Sequence, residues 1–337
     1  MIGATNKTSF AESLFARADN YFRSRDEGKL ANGIFYAKAT LLLFAYMFSY
    51  VYFTFYAQSF AEIMLMAFIL GICHVFIPVN ISHDAIHGAI SSHKWINQLF
   101  LCGFDITGSN SYMYSKKHLA AHFDKEHGSK TMAIESQGLL LQKHTKEKKS
   151  NLSFAFYFFY AQYMIFIRDF VLYFNSENIP TKEFARLFAF KFLYCIAFLI
   201  FPFVFGNTPW WQMCIALLFM YLVVTASLVI ILLMPTEKME LARVNENNGQ
   251  NDKWLIEILE HNVDFSPKNV MLNLVAGGAN LNVVHYLFPS VNHVHYNKLA
   301  TIVEKTAHDH GLHYRKQEVR DVFGIHFNYL KNIQNSN

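Results

Sequence analysis

Residues 192–236 read FLYCIAFLIFPFVFGNTPWWQMCIALLFMYLVVTASLVIILLMPT, and none of them is charged. A helix rises about 1.5 Å per residue, so a run this long covers roughly 30 Å of hydrocarbon twice. Gly206, Asn207, Thr208 and Pro209 interrupt it near the middle. Those four residues are turn chemistry, and Trp210 and Trp211 beside them suit a membrane–water interface. The stretch predicts a transmembrane hairpin over residues 187–235.

Upstream, residues 39–56 and 63–79 also lack charge, and the link at 57–62 carries no lysine or arginine. Residues 34–80 therefore read as a first hairpin. Basic residues avoid both hairpin tips and gather in residues 116–149 and at the other hairpin mouths. The positive-inside rule then places both termini on the cytoplasmic side. Residues 152–174 (LSFAFYFFYAQYMIFIRDFVLYF) are apolar enough for a fifth crossing. Arg168 and Asp169 argue against one, because charge at membrane depth is expensive. A crossing there would also invert the second hairpin. An interfacial or re-entrant helix is expected instead.

Phe10, Leu14, Phe15, Ala18, Tyr21 and Phe22 recur at helical spacing, which predicts an amphipathic cytoplasmic helix within residues 8–30. The hydrophilic segments 81–150 and 236–337 are expected to form a cytoplasmic helical cap. Residues 143–149 (KHTKEKK) are a basic patch. A solvated loop is the favoured reading, over attraction to anionic headgroups or an acidic redox partner. The predicted class is an all-α integral membrane protein: four transmembrane helices in two hairpins, interfacial helices, and a cap carrying the site, as one domain over 1–337.

Composition agrees. Of 337 residues, 53% are hydrophobic and only 16% charged, below the usual share for a soluble domain. The net charge of +4 is small and clustered, so nucleic acid is not the expected partner. Cys73, Cys102, Cys195 and Cys214 are scattered and make no CxxC pair, which suggests neither a disulfide frame nor a zinc ribbon. Residues 1–25 contain no apolar core for a cleavable signal, so insertion is expected to rely on the first internal span.

Three stretches carry the chemistry: HDAIHGA at 83–89, KHLAAH at 117–122 and GGANLNVVHYLFPSVNHVHY at 277–296. His83/His87 and His118/His122 are four apart, one turn above each other on a helix face. Imidazole is the commonest metal ligand near neutral pH. A metal site assembled from distant segments accounts for the paired spacing. Asp84 is expected to orient a ligand imidazole rather than to bind metal itself. His74, His93, His144, His308, His310, His313 and His326 occur singly and read as satisfied polar residues; His293 and His295 fit either role.

These three stretches resemble the histidine boxes of the membrane fatty acid desaturase/hydroxylase family, nearest the bacterial front-end type acting on acyl-lipid or acyl-CoA. The likeness covers nearly the whole chain, including Asn32 and Gly33 and the run Val263, Asp264, Phe265, Ser266, Pro267. It implies two irons in a histidine-dominated shell, an O2-dependent attack on a C–H bond of an acyl chain, and an apolar tunnel between the spans. Fatty acyl lipid, acyl-CoA or acyl-carrier substrate is implied, with membrane lipids around it. No haem module and no GxGxxG fingerprint occur in the chain, so a separate ferredoxin or cytochrome is implied as electron donor. The implied location is a bacterial inner membrane, with the site facing the cytoplasm.

The departures are as informative. Boxes two and three of the family usually end in a His-His pair, whereas Phe123 and Tyr286 stand second here. Glu257 stands where the family often has a histidine upstream of the third box, with His261 one turn on. Carried over by position, one metal takes His83, His87 and His118. The other takes His122, Asn282, His285 and Glu257. Both lost positions fall on the first metal, where Asp124, Glu126 or His127 could substitute. Three outcomes are implied: a dimetal enzyme shifted toward hydroxylation or another C–H oxidation, a one-metal enzyme, or a catalytically inactive paralogue with a lipid-binding or scaffold role. A metal transporter would want ionisable residues in the spans, and apart from His74 the uncharged runs hold none.

Overall fold

The computed structural model describes residues 8–123, 159–176, 178–233 and 250–321. The basic patch at 143–149, the candidate substitutes Asp124, Glu126 and His127, and residues 152–158 and 236–249 lie outside them, as do the side chains of His122, Phe123 and His261. The described residues are overwhelmingly helical, with one two-stranded parallel pairing of Asp264–Phe265 and Lys316–Gln317. They fall into two compact units, one formed by residues 33–232 and the other by residues 1–32 with 233–337.

In the first unit, four helices are long and apolar enough to cross a membrane: Gly33–Tyr56, Phe60–Ile86, Thr181–Phe205 and Trp210–Ile231. The protein is an integral membrane protein, with the two hairpins expected from the uncharged runs. The second span starts with a capping box, in which the Ser59 hydroxyl accepts from Glu62 N–H and Glu62 reaches back to Ser59 N–H. Gly71 lets the second and fourth spans touch, since a Cβ there would meet Val223 Cβ at 2.7 Å and the Met220 carbonyl oxygen at 2.8 Å. At the tips, Asn207 Nδ2 donates to the Phe55 carbonyl at 2.7 Å, tying the loop of one hairpin to the end of the first span.

Each of three spans contains one widened, π-helical turn: Tyr52–Tyr56, Pro78–Ser82 and Ile196–Ile200. A fourth, Tyr163–Ile167, precedes the helix Arg168–Phe174. This last region is the segment whose charges argue against a fifth crossing, and among the described residues there is none. The charges are nonetheless deeply buried, Arg168 at 4% and Asp169 at 0% exposure. Arg168 pairs with Asp169 Oδ1 at 2.9 Å, and Lys191 of the third span pairs with Asp169 Oδ2 at 2.7 Å. Lys191 also donates to the carbonyls of Gly108 and Ile165. The Ile165 carbonyl belongs to the widened turn. Mutual pairing, rather than exposure to water, is what makes these charges tolerable.

Short helices link the hairpins. Lys94–Ile106 is held by Asp105, fully buried, which accepts from Ser111 N–H at 3.0 Å and from Arg186 at 2.7 Å. Burial holds the Asp105 carboxyl above its ordinary range, against those two donors. Helix Ser111–Phe123 follows directly.

In the second unit, helix Phe10–Ser24 confirms the amphipathic reading over a shorter length than residues 8–30. It starts at a Ser9/Glu12 capping box and ends at Arg25, and Asp26 takes φ 52°, a left-handed conformation that stops the helix. Phe10, Leu14, Ala18 and Phe22 are buried with Leu255, Leu259, Val284, Leu299 and Val303 in one apolar core. Phe15 stays exposed.

Candidate metal centre

The first box begins where the second span ends. Pro78 opens the widened turn, and His83 N–H donates five residues back to the Pro78 carbonyl. The turn is pinned from outside. Ser82 Oγ donates to the Phe100 carbonyl at 2.8 Å, and Lys38 Nζ donates to buried Asn80 Oδ1 at 2.9 Å. Gly103 is required there, because a Cβ would stand 2.2 Å from Ser82 Oγ. One helical turn, His83–Ile86, then carries His83, and His87 closes it ahead of Gly88 at φ 67°. Asp84 is buried and within the field of the Lys38 ammonium.

His118 meets this pair from helix Ser111–Phe123. Its Nε2 lies 3.1 Å from His83 Nε2 and 2.9 Å from His87 Nε2. The rings stand nearly perpendicular to one another, at 68° to 74°. A neutral ring nitrogen carries one proton or one lone pair, so His118 Nε2 is ill suited to satisfying both contacts as hydrogen bonds. A shared cation removes the conflict: two ligand nitrogens about 2.1 Å from one ion and at right angles stand about 3 Å apart. The nitrogen donors present fit a transition-metal ion.

In the other unit, the third box follows two glycines with positive φ, Gly277 at 60° and Gly278 at 83°. A Cβ on Gly278 would meet His293 Cβ at 2.8 Å and the Tyr296 ring at 2.9 Å. The short helix Asn282–Leu287 presents Asn282 and His285, both buried. His285 Nδ1 lies 3.0 Å from the Tyr296 hydroxyl, which fixes the orientation of the ring. Asn282 Nδ2 donates to Asn262 Oδ1 at 3.0 Å. Asp264 Oδ1 accepts from Val283 N–H at 2.7 Å and Oδ2 from the Tyr314 hydroxyl at 2.6 Å. Burial pushes the Asp264 carboxyl up to about 7 in spite of those bonds, and pushes the Tyr314 and Tyr286 phenols up as well.

His295 takes a supporting place, and His293 is buried two residues before it. Asn273 Nδ2 donates to the His293 carbonyl at 2.9 Å, while His295 Nε2 is 3.0 Å from the Leu30 carbonyl and packs edge-on against Phe22. Glu257 is buried on helix Gln250–His261. His74, within the second span, is buried between the Leu70 carbonyl (2.7 Å) and the Tyr194 hydroxyl (3.0 Å), as a satisfied polar residue would be. No spacing of metal-binding residue types marks Asp264, Tyr296 or Tyr314, although Asp264 and Tyr296 lie inside stretches that carry the resemblance.

Comparison with known proteins agrees with this geometry. The chain is 26% identical to an sn-1 linoleoyl-lipid 6-desaturase of Arthrospira platensis, over 99% of this chain and 96% of that protein. It is 25% identical to the enzyme of the same description from Synechocystis sp., over 92% and 91%. To an acyl-lipid (8-3)-desaturase of Physcomitrium patens it is 24% identical, over 94% and 70%. The family model for fatty acid desaturase matches residues 59–318, a stretch that holds every histidine just described together with the second, third and fourth spans. A membrane chain whose histidines at 83, 87 and 118 converge, and whose sequence matches along this length, belongs to the fatty acid desaturase family.

Proposed function

We propose that this chain is a non-haem iron, O2-dependent acyl desaturase whose substrate is a membrane acyl-lipid. The observation that carries the reading is the convergence of the His83, His87 and His118 Nε2 atoms at 2.9 and 3.1 Å. A scaffold without catalysis has no need of three imidazole nitrogens aimed at one point. The named substrates of the two cyanobacterial relatives and the moss relative support acyl-lipid over a soluble carrier.

His83, His87 and His118 would hold one iron, and the positions carried over from the family for the second are His122, Asn282, His285 and Glu257. Iron bound there supplies activation of dioxygen for attack on an unactivated C–H bond. The protein's own contribution is orientation. The Pro78–Ser82 turn aims His83 and His87, and Tyr296 holds Nδ1 of His285, so that Nε2 would be the nitrogen offered to iron. A ferredoxin or cytochrome delivers electrons. The site faces the cytoplasm, in a bacterial inner membrane, where the substrate chain enters from the bilayer. Phe123 and Tyr286 at two usual ligand positions favour a shell that also permits hydroxylation.

Purified protein is expected to hold two irons per chain and to introduce a double bond into acyl-lipid when supplied with reductant and O2. His87→Ala and His285→Ala should each abolish product and lower the iron content. Iron-free wild-type protein would instead support an inactive, lipid-binding paralogue. A hydroxylated product with iron present would move the reaction type and leave the site assignment standing.

A further inference from the structure

Arg168, Asp169 and Lys191 are buried, ionisable and unused by the function proposed above. Their network does not stop at Lys191. The Arg168 guanidinium carbon lies 5.8 Å from the Tyr114 ring centroid, close enough for a cation–π contact. Tyr114 is one turn before His118 on the same helix, and the two rings lie nearly parallel, 12° apart with centroids at 5.9 Å. Phe104 stacks on Tyr114 as well, at 4.4 Å and 28°. Met164, one turn before Arg168, approaches the guanidinium through its sulfur at 3.7 Å.

The geometry points to Tyr114, clamped by Arg168 and Phe104, as the positioning residue for the His118 imidazole. His118 is the nitrogen common to both short contacts of the cluster, so its ring angle decides whether three Nε2 atoms share one focus. Backbone helicity fixes where Cβ of His118 sits, but rotation about its last side-chain bond is broad. A flat ring stacked one turn away restricts that rotation. Tyr114 is itself restricted, because Arg168 is anchored at Asp169, and Asp169 is anchored at Lys191 in the third span. An ion pair buried in the helical body thereby sets the orientation of a metal ligand without touching it.

The inference rests on His118 being a ligand, and the test separates the two claims. Full-length detergent-solubilised protein, stripped of iron, is titrated with Co2+, whose visible absorption reports ligand number and symmetry. Wild-type protein should bind, and His118→Ala should lose the wild-type spectrum. Tyr114→Leu should weaken Co2+ binding by about 10- to 100-fold, as loss of a ligand's support does elsewhere, with an altered absorption envelope. Tyr114→Phe, which keeps the flat ring, should stay within about twofold of wild type on the same grounds. Arg168→Lys keeps a charge for Asp169 while removing the flat guanidinium, and should shift the Co2+ spectrum in the direction of Tyr114→Leu. Wild-type affinity and spectrum in Tyr114→Leu would overturn the positioning role alone. If Tyr114→Leu fails to fold, an unshifted spectrum in Arg168→Lys overturns it. Failure of wild-type protein to bind Co2+ would overturn the metal site and this inference with it.

Discussion

Two regions carry the histidines of the boxes, and they are held by different means. His83, His87 and His118 ride on helices continuous with or adjacent to the spans, and their placement follows from register: a spacing of four, one widened turn and a stacked ring. His285 rides on a six-residue helix between irregular segments, too short to hold itself. There a buried hydrogen-bond set does the fixing, through Asp264, Asn262 and Tyr296. Where the backbone is regular, the periodicity of the sequence reveals the site. Where it is irregular, side chains of ordinary appearance carry the geometry.

This contrast can be broken from either end. The largest expected effect comes from Lys191→Met in the first unit. It leaves Asp169 with one cation and strands the Gly108 and Ile165 carbonyls, a loss of about 3–5 kcal/mol. Thermal unfolding in detergent should show a large drop, and an unchanged midpoint would mean the ion pairs are not what secures that region. A smaller and pH-dependent effect belongs to the second unit. The Asp264 carboxyl is raised by burial from 3.8 to about 7. Between those values the folded state keeps a proton that the unfolded state releases, so stability falls as pH rises through that window and levels off above it. The slope is at most roughly 1.4 kcal/mol per pH unit. Asp264→Asn should flatten it, and unfolding midpoints at pH values inside and above the window would detect this. A slope that persists in the variant assigns it to another group. The smallest effect is expected for Ser9→Ala, which removes the cap of helix Phe10–Ser24 at a cost of about 1 kcal/mol. It should lower the unfolding midpoint slightly and leave the Co2+ titration unchanged.

The same contrast explains what could be read in advance. Uncharged runs announce spans because hydrocarbon tolerates no lone charge, so 39–56, 63–79 and 192–236 were legible from composition alone. The pairs at 83/87 and 118/122 stand out because helix geometry is periodic, and of them the described residues bring His83, His87 and His118 together. The burial of Arg168 and Asp169 was not legible, since their partner Lys191 is distant in the chain and sits at the edge of an uncharged run. Nor were the widened turns: Pro78 and Pro202 flank two of them, but no residue pattern marks Tyr163–Ile167. Tyr114 stood in plain view, an aromatic four residues before His118. A ring's role as a neighbour's support depends on what lies on its other side, and a sequence does not contain that.

The widened turn at Pro78–Ser82 has a consequence for how this protein tolerates indels. A π turn holds one residue more than an ordinary one. Deleting a single residue there would let the turn close as an ordinary one with His83 and His87 kept in register, whereas a deletion in the regular helix ahead of it would swing both by about 100° around the helix axis. In that second case both imidazoles would survive as amino acids and point away from His118. In this span, the identity of the two histidines and their aim are encoded separately.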